Sequence, residues 1–278
     1  MNISAAMVKE LRDATGLGMM ECKKALVETS GDKDAAIKLL RERGLAIAGK
    51  KAERVAKEGR VASDIYNGGK SGVMIEVDCE TDFVARNPQF QEFVKELVEQ
   101  AKTADDNTLA ETAKDAVVAK IAQIGENIII RRNVKYIVQG EGNVAGYIHL
   151  GEKVGVLCEL GCDKADSTST EAFKEAVKDV TLHIAASNPA YLDRSEVPAD
   201  VLQAEKDIYA KQVEGKPANI LEKIVAGKLE KFYQQNCLVE QAFVKDPDQT
   251  VSEMLAARAK GLGENFVIRR FTRYQVGV

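Results

Sequence analysis

An α+β fold built on an internal duplication is what this sequence predicts, and three observations predict it. Glu58-Gly59-Arg60-Val61-Ala62 recurs as Glu141-Gly142-Asn143-Val144-Ala145. The register then holds through Gly72-Val73 with Gly155-Val156, Glu76 with Glu159, Cys79 with Cys162 and Phe90 with Phe173. Both copies also close alike: Ile124-Gly125-Glu126-Asn127 running to Arg131-Arg132 is echoed by Leu262-Gly263-Glu264-Asn265 running to Arg269-Arg270. Finally, period-two alternation opens each copy and helical spacing follows it, so strands precede helices in both.

Bulk properties narrow the class. A chain of 278 residues holds two domains, or one with appendages. Its formal charge of -4 argues against direct nucleic-acid binding. No apolar run approaches the roughly 18–20 residues of a membrane span. Five cysteines, odd in number and without a CxxC pair, read as usage in a reduced compartment. The sequence enters a helical pattern at once, with no signal peptide or Arg-rich transit segment, so a cytoplasmic location is expected.

Residues 1–50 read as a bundle of three short helices. Ser4 caps the first, with Met7, Val8, Leu11 and Ala14 on one face, and Thr15-Gly16-Leu17-Gly18 turns the chain. The second carries Met19, Met20, Cys22, Ala25 and Leu26. Asp32 caps the third, which Gly44 is expected to close. Such a unit has little core of its own and reads as a docking module. Residues 51–57 read as a charged helical linker.

The first copy, 58–139, is read as β-β-α-α-β. Val73, Ile75, Val77 and Cys79 form the inward face of its second strand, and Asn87-Pro88 starts a helix with Phe90, Phe93, Val94, Leu97 and Ala101 inside. The second copy, 140–187 and 237–278, repeats this with Val156, Cys158, Leu160 and Cys162, then Thr170 capping a helix through Phe173, Ala176, Val177, Val180 and Ile184. The copies' starts are offset by 83 positions and their ends by 138, so the second holds an insertion of about 55 residues. It is read at 188–236 as an antiparallel helical hairpin. One helix carries Val201, Leu202, Ile208 and Val213, a turn follows at Gly215-Lys216-Pro217, and Ile220 to Phe232 return.

The copies disagree in one informative place. Thr81-Asp82-Phe83-Val84 aligns with Lys164-Ala165-Asp166-Ser167, so the connection closes without an aromatic. Phe83 therefore either fills its own core or is presented to something else. Chemistry for catalysis is sparse: there is no HExxH, GxSxG, phosphate loop or zinc-spaced cysteine pair, and no metal site or cofactor is expected. His183 reads as a packing histidine. Cys158 and Cys162 lie about 13 Å apart along one strand, too far to share an ion. Arg131-Arg132 and Arg269-Arg270 are either phosphate contacts or solvated strand ends.

Two stretches carry a resemblance to a known family. Val8-Lys9-Glu10-Leu11-Arg12, followed by Thr15-Gly16-Leu17-Gly18-Met19-Met20-Glu21-Cys22-Lys23-Lys24, resembles the N-terminal signature of elongation factor Ts, the guanine-nucleotide exchange factor of elongation factor Tu. Glu80-Thr81-Asp82-Phe83-Val84-Ala85-Arg86 resembles that family's Thr-Asp-Phe-Val motif. The Ile-Gly-Glu-Asn strand starts, the duplicated core and the hairpin agree with it. The resemblance implies a ubiquitin-associated-like (UBA-like) bundle and a coiled-coil arm.

It also implies a mechanism in which the factor binds GDP-bound elongation factor Tu and leaves it nucleotide-free. The bundle, with Val8, Leu11, Arg12, Thr15, Gly16, Gly18, Met19, Met20, Cys22, Lys23 and Lys24, docks on the partner's nucleotide-binding domain. Phe83 is then the wedge, Asp82 the polar contact, and Thr81 and Val84 shape the loop; together they dislodge Mg²⁺ and GDP. The arm would meet the partner or a second copy. The chain stops at Val278, so the C-terminal module of some members is expected to be absent and exchange to persist without it. The bundle's similarity to ubiquitin-associated domains implies a second reading, a scaffold or ubiquitin-like-binding module that uses the bundle without exchange activity, and RNA binding through the arginine pairs is a third.

Overall fold

The computed structural model describes residues 3–212 and 217–278. Ser4 caps α1 (Ala5–Thr15) by accepting the Met7 N–H at 3.3 Å. The helix stops at Gly16, whose φ of 67° is left-handed; Gly18 has an ordinary φ of -61° and simply precedes α2 (Met19–Glu28). Only the first glycine is demanded by the turn. Asp32 caps α3 (Lys33–Lys51) by accepting the Ala35 N–H at 3.0 Å. Val8, Leu11, Cys22, Ala25, Leu26, Ala36 and Leu40 close the bundle's core.

Two expectations fail along α3. Gly44 does not end the helix; it lies buried within it, on the side that packs against the helix over Lys114–Ile124, where even an added Cβ would meet Ala122 and Val118 at ordinary contact distances of 3.6 and 3.8 Å. Nor are residues 51–57 a helical linker. The helix ends at Lys51, and the chain beyond turns because its carbonyls have other partners: Asn127 Nδ2 donates to Arg54 O at 2.9 Å.

The first copy runs β1 (Glu58–Tyr66), β2 (Ser71–Cys79), α4 (Asp82–Ala85), α5 (Pro88–Ala101), α6 (Leu109–Thr112), α7 (Lys114–Ile124) and β3 (Ile128–Ile137). The second runs β4 (Gly142–Ile148), β5 (Val154–Cys162) and α8 (Glu171–Ser187). After α9 (Ala199–Gln212), α10 (Ala218–Asn236), β6 (Ala242–Phe243) and β7 (Asp246–Thr250), it resumes with α11 (Val251–Lys260) and β8 (Phe266–Gln275). The sheets are antiparallel, ordered β1-β2-β3 and β4-β5-β8, and β6 pairs with β7 in a small hairpin the repeat did not signal. Asn87 and Thr170 cap α5 and α8 as expected.

The two sheets pack face to face, with helices on their outer sides. One face of β2 meets Phe90, Phe93 and Leu97 of α5, and one face of β5 meets Phe173, Ala176 and Val180 of α8. Between the sheets lie Val61, Met74, Val134, Tyr136, Val144, Leu157, Tyr274 and Val276. Both faces of β2 are thus buried, although the alternation marked only one as inward. The second face includes two acids, and the next strand neutralises them: Arg132 Nε lies 2.6 Å from Glu76, and Arg131 Nε 2.8 Å from Asp78. Close approach of the sheets also needs Gly155, where a Cβ would fall 2.4 Å from Val61.

In the insertion, α9 lies against α10 and has no buried residue. Its expected apolar position Val213 and turn residues Gly215 and Lys216 lie outside the described residues. Arg194 fixes the root of α10, donating to Glu230 (2.6 and 2.9 Å) and Glu240 (2.5 and 2.7 Å) while stacked 4.3 Å above the Tyr233 ring. Among the described residues no helix is long and apolar enough to cross a membrane.

Candidate functional site

The connection after β2 is a single helical turn, α4, where a loop was expected. Thr81 is extended and caps it, its Oγ1 accepting the Val84 N–H at 3.3 Å. Four residues do not hold helical form unaided in water. This turn is fastened from outside at both ends. The Glu126 carboxylate accepts from Thr81 N–H (3.0 Å) and Thr81 Oγ1–H (2.7 Å), and Arg60 donates to Ala85 O at 3.2 Å. Ala85 is buried and Val84 packs on the first copy's core.

Of the turn's apolar side chains, Phe83 alone points away, 81% exposed. Of the two readings open from sequence, burial in its own core does not describe the molecule. A lone exposed apolar residue is ordinary; one crowning a turn pinned on both sides is not explained by packing. Asp82 pairs with Arg86 at 3.3 Å, and with both side chains exposed that pair contributes little and is readily exchanged.

A second exposed apolar tip lies at the same end of the core. Leu150, in the turn between β4 and β5, is 90% exposed. Val61 N–H donates to Glu152 O at 2.7 Å, Arg60 pairs with Glu152, and Lys153 pairs with Glu58. Glu58 in turn faces Cys79 across the β1–β2 ladder, so this tip is tied to the strand end that carries Phe83. Arg60 touches both turns. Neither Leu150 nor Arg60 nor Glu126 was picked out from sequence. For Leu150 a signal existed: the first copy has Asn67-Gly68 where the second has Leu150-Gly151, the same kind of mismatch that singled out Phe83.

The bundle residues separate into two groups. Arg12 on α1 and Met19, Met20, Lys23 and Lys24 on α2 are exposed, and Met19, Met20 and Val27 give α2 an apolar strip flanked by lysines. Val8, Leu11 and Cys22 lie in the buried core of the bundle and hold the strip in shape. Thr15 and Gly16 abut α7 of the protein's own core. Gln123 of α7 reaches over to donate to Thr15 O at 2.7 Å, and a Cβ on Gly16 would lie 2.5 Å from its Nε2. Gly18 is exposed in open surroundings.

Other candidate chemistry is accounted for structurally. Burial pushes the Cys79 and Cys158 thiols up to about 12, so both stay protonated and inert at neutral pH. All five cysteines are free and buried. Buried His183 bonds Gln241 Oε1 at 2.9 Å through Nε2 and accepts the Val244 N–H at 3.2 Å through Nδ1; burial lowers its pKa, which keeps it neutral. Arg269 and Arg270 both bind the Glu159 carboxylate, at 3.1 and 2.8 Å, as Arg131 and Arg132 bind their own acids. These arginines hold the sheets together. Among the described residues no cluster of side chains could hold a metal ion.

A three-helix bundle joined to a duplicated, sheet-on-sheet α+β core with two apolar tips at one end is the class these features define. A family described as Elongation factor TS matches residues 80–278. The chain is 46% identical to elongation factor Ts of a Nitratiruptor species over 288 residues, covering 100% of this chain and 94% of that protein. It is 47% identical to elongation factor Ts of Trichlorobacter lovleyi over 291 residues (100% and 93%), and 44% identical to that of a Clostridium botulinum strain over 287 residues (99% and 93%). The chain belongs to the elongation factor Ts family.

Proposed function

We propose that this protein is the guanine-nucleotide exchange factor of elongation factor Tu, and that Phe83 is its wedge. The observation that carries the reading is the exposure of Phe83 on a turn held at both ends. The exposed α2 strip, within a UBA-like bundle over 1–50, docks on the partner's nucleotide-binding domain. Val8, Leu11, Cys22, Thr15 and Gly16 serve this docking indirectly, through the bundle's shape and its seat on α7. The core, 58–187 with 237–278, grips a second face through the Leu150 tip. Phe83 and Asp82 enter beside the Mg²⁺ and phosphates, which Mg²⁺ bridges and screens. Mg²⁺ and GDP leave, and the empty partner takes up GTP.

Magnitudes assign the work among these parts. Burying one Phe is worth about 1.5–3 kcal/mol, roughly ten- to a hundredfold. A larger acceleration needs docking energy from the bundle and core coupled to the wedge. That coupling is reciprocal: GDP weakens the factor's grip as much as the factor weakens GDP's. The coiled-coil arm at 188–236 leaves Ile208 and Ile220 partly uncovered, which favours a further contact with the partner or with a second copy. Free, buried cysteines suit the cytoplasm, and the arginine pairs are engaged with buried acids, which speaks against a role as phosphate contacts.

Stopped-flow release of a fluorescent GDP from elongation factor Tu tests this. Wild type accelerates release and Phe83→Ala does so far less. Equal rates from the two contradict the wedge; no acceleration by wild type contradicts the function.

A further inference from the structure

The turn that presents Phe83 depends on one carboxylate supplied from elsewhere in the chain. Glu126 follows the left-handed Gly125 that ends α7, and its two oxygens accept both of Thr81's donors, the N–H at 3.0 Å and the hydroxyl at 2.7 Å. Because the Thr81 hydroxyl gives its proton to Glu126, its lone pair is turned toward the Val84 N–H, which it caps at 3.3 Å. The orientation of a four-residue helix is thereby set by a group 45 positions away.

Glu126 is itself held in place. Asn127 N–H donates to Glu80 at 2.7 Å, Asn127 Nδ2 donates to Arg54 O at 2.9 Å, and Lys51 at the end of α3 donates to Gly125 O. The last of these contacts come from the helix that carries the bundle.

We propose that Glu126 is the positioning residue of the exchange reaction: acting through Thr81, without touching the partner, it holds Phe83 in its presenting form before docking. This rests on the exchange reading above. Pre-organisation of this kind governs the rate of a step far more than the affinity of surfaces that bind elsewhere.

The duplication supplies an internal control. Glu264 occupies the equivalent place in the second copy, where Asn265 N–H donates to Asp163 at 3.1 Å and Glu264 pairs with Lys164 at 3.3 Å. There the latched turn presents no aromatic. A carboxylate needed only for folding would matter equally in both copies.

The test compares Glu126→Gln, Thr81→Val, Thr81→Ser and Glu264→Gln in the full chain. A glutamine offers Thr81 one acceptor and one donor in place of two acceptors. Glu126→Gln and Thr81→Val are each expected to lower the maximal GDP-release rate on the order of tenfold, with the half-saturating concentration little changed. The double variant is no worse than either single one, Thr81→Ser keeps the rate, and Glu264→Gln leaves it at wild type. Amide hydrogen exchange of the unbound protein gives a readout that needs no partner: Val84, Ala85 and Arg86 lose protection in Glu126→Gln and keep it in Glu264→Gln. If Phe83→Ala slows release but Glu126→Gln does not, or if those three amides keep their protection in Glu126→Gln, the inference fails while the exchange reading stands. If wild type fails to accelerate release, the exchange reading fails and the kinetic role of Glu126 fails with it.

Discussion

The two halves of the core share a framework up to the ends of their central strands, and there they part. In both, a register shift follows the buried acid, Glu76 or Glu159, which a cross-strand arginine neutralises. Arg132 of the first half stacks 4.2 Å above Tyr274 of the second, and Arg270 of the second stacks 4.0 Å above Tyr136 of the first. Cys79 and Cys162 each lie 3.2 Å from the carbonyl two residues on. Beyond that point one copy lifts Phe83 into solvent, while the other buries Ser167 one position further along. At the opposite end of the central strand the roles reverse, with Leu150 exposed in the second copy and Asn67 at its place in the first. What the halves share is framework; the two exposed apolar tips that they do not share, Phe83 and Leu150, lie at one end of the core.

The shared contacts can be broken first, and they carry the largest expected effects. Glu159 serves two arginines and the Gln139 N–H, whereas Glu76 serves one arginine. Glu159→Ala should cost about 3 kcal/mol in urea unfolding, and Glu76→Ala less, because each leaves buried or half-buried guanidinium unpaired. Comparable losses would mean that the two halves are more alike than their hydrogen bonds suggest. In the bundle, Gly16→Ala should cost roughly 1–2 kcal/mol, since its φ is left-handed and Gln123 presses on it; Gly18→Ala should stay within about 0.5 kcal/mol.

A smaller effect separates the halves by pH. His183 on α8 corresponds to exposed Gln100 on α5, so only the second half holds a buried histidine in this helix. Its folded pKa is lowered, chiefly by burial, while the unfolded chain takes up a proton near 6.5. The unfolded state therefore binds more protons below that pH. Stability is full above about 6.5 and declines as pH falls toward the folded pKa. Urea midpoints at pH 7.5 and 5.5 should differ less for His183→Gln than for wild type.

Much of this framework was legible in the residue pattern, and the exceptions have physical causes. Capping by Ser4, Asp32, Asn87 and Thr170 could be read because a side-chain acceptor before a helix acts locally. Gly44 shows the limit of local reading: α3 runs through it to Lys51, and the surface it packs on belongs to α7, some seventy positions on by sequence. Alternation marked Val73, Ile75, Val77 and Cys79 as buried but left Glu76 and Asp78 outside. A strand covered on both faces loses the polar-apolar contrast on which alternation depends. At the site, Phe83 was visible through a mismatch between copies. Glu126 was not, because it matches Glu264 and its importance lies in a hydrogen bond across the fold.

Giving the first copy the second copy's residue tests the central claim most directly. Phe83→Asp places at the tip of α4 the residue that stands there in the other half, where the fold closes without an aromatic. The claim is that this position is surface for a partner and owes nothing to the framework. The variant should unfold at the wild-type urea concentration and fail to speed GDP release from elongation factor Tu. Undiminished release would contradict that account, and so would a substantial loss of stability.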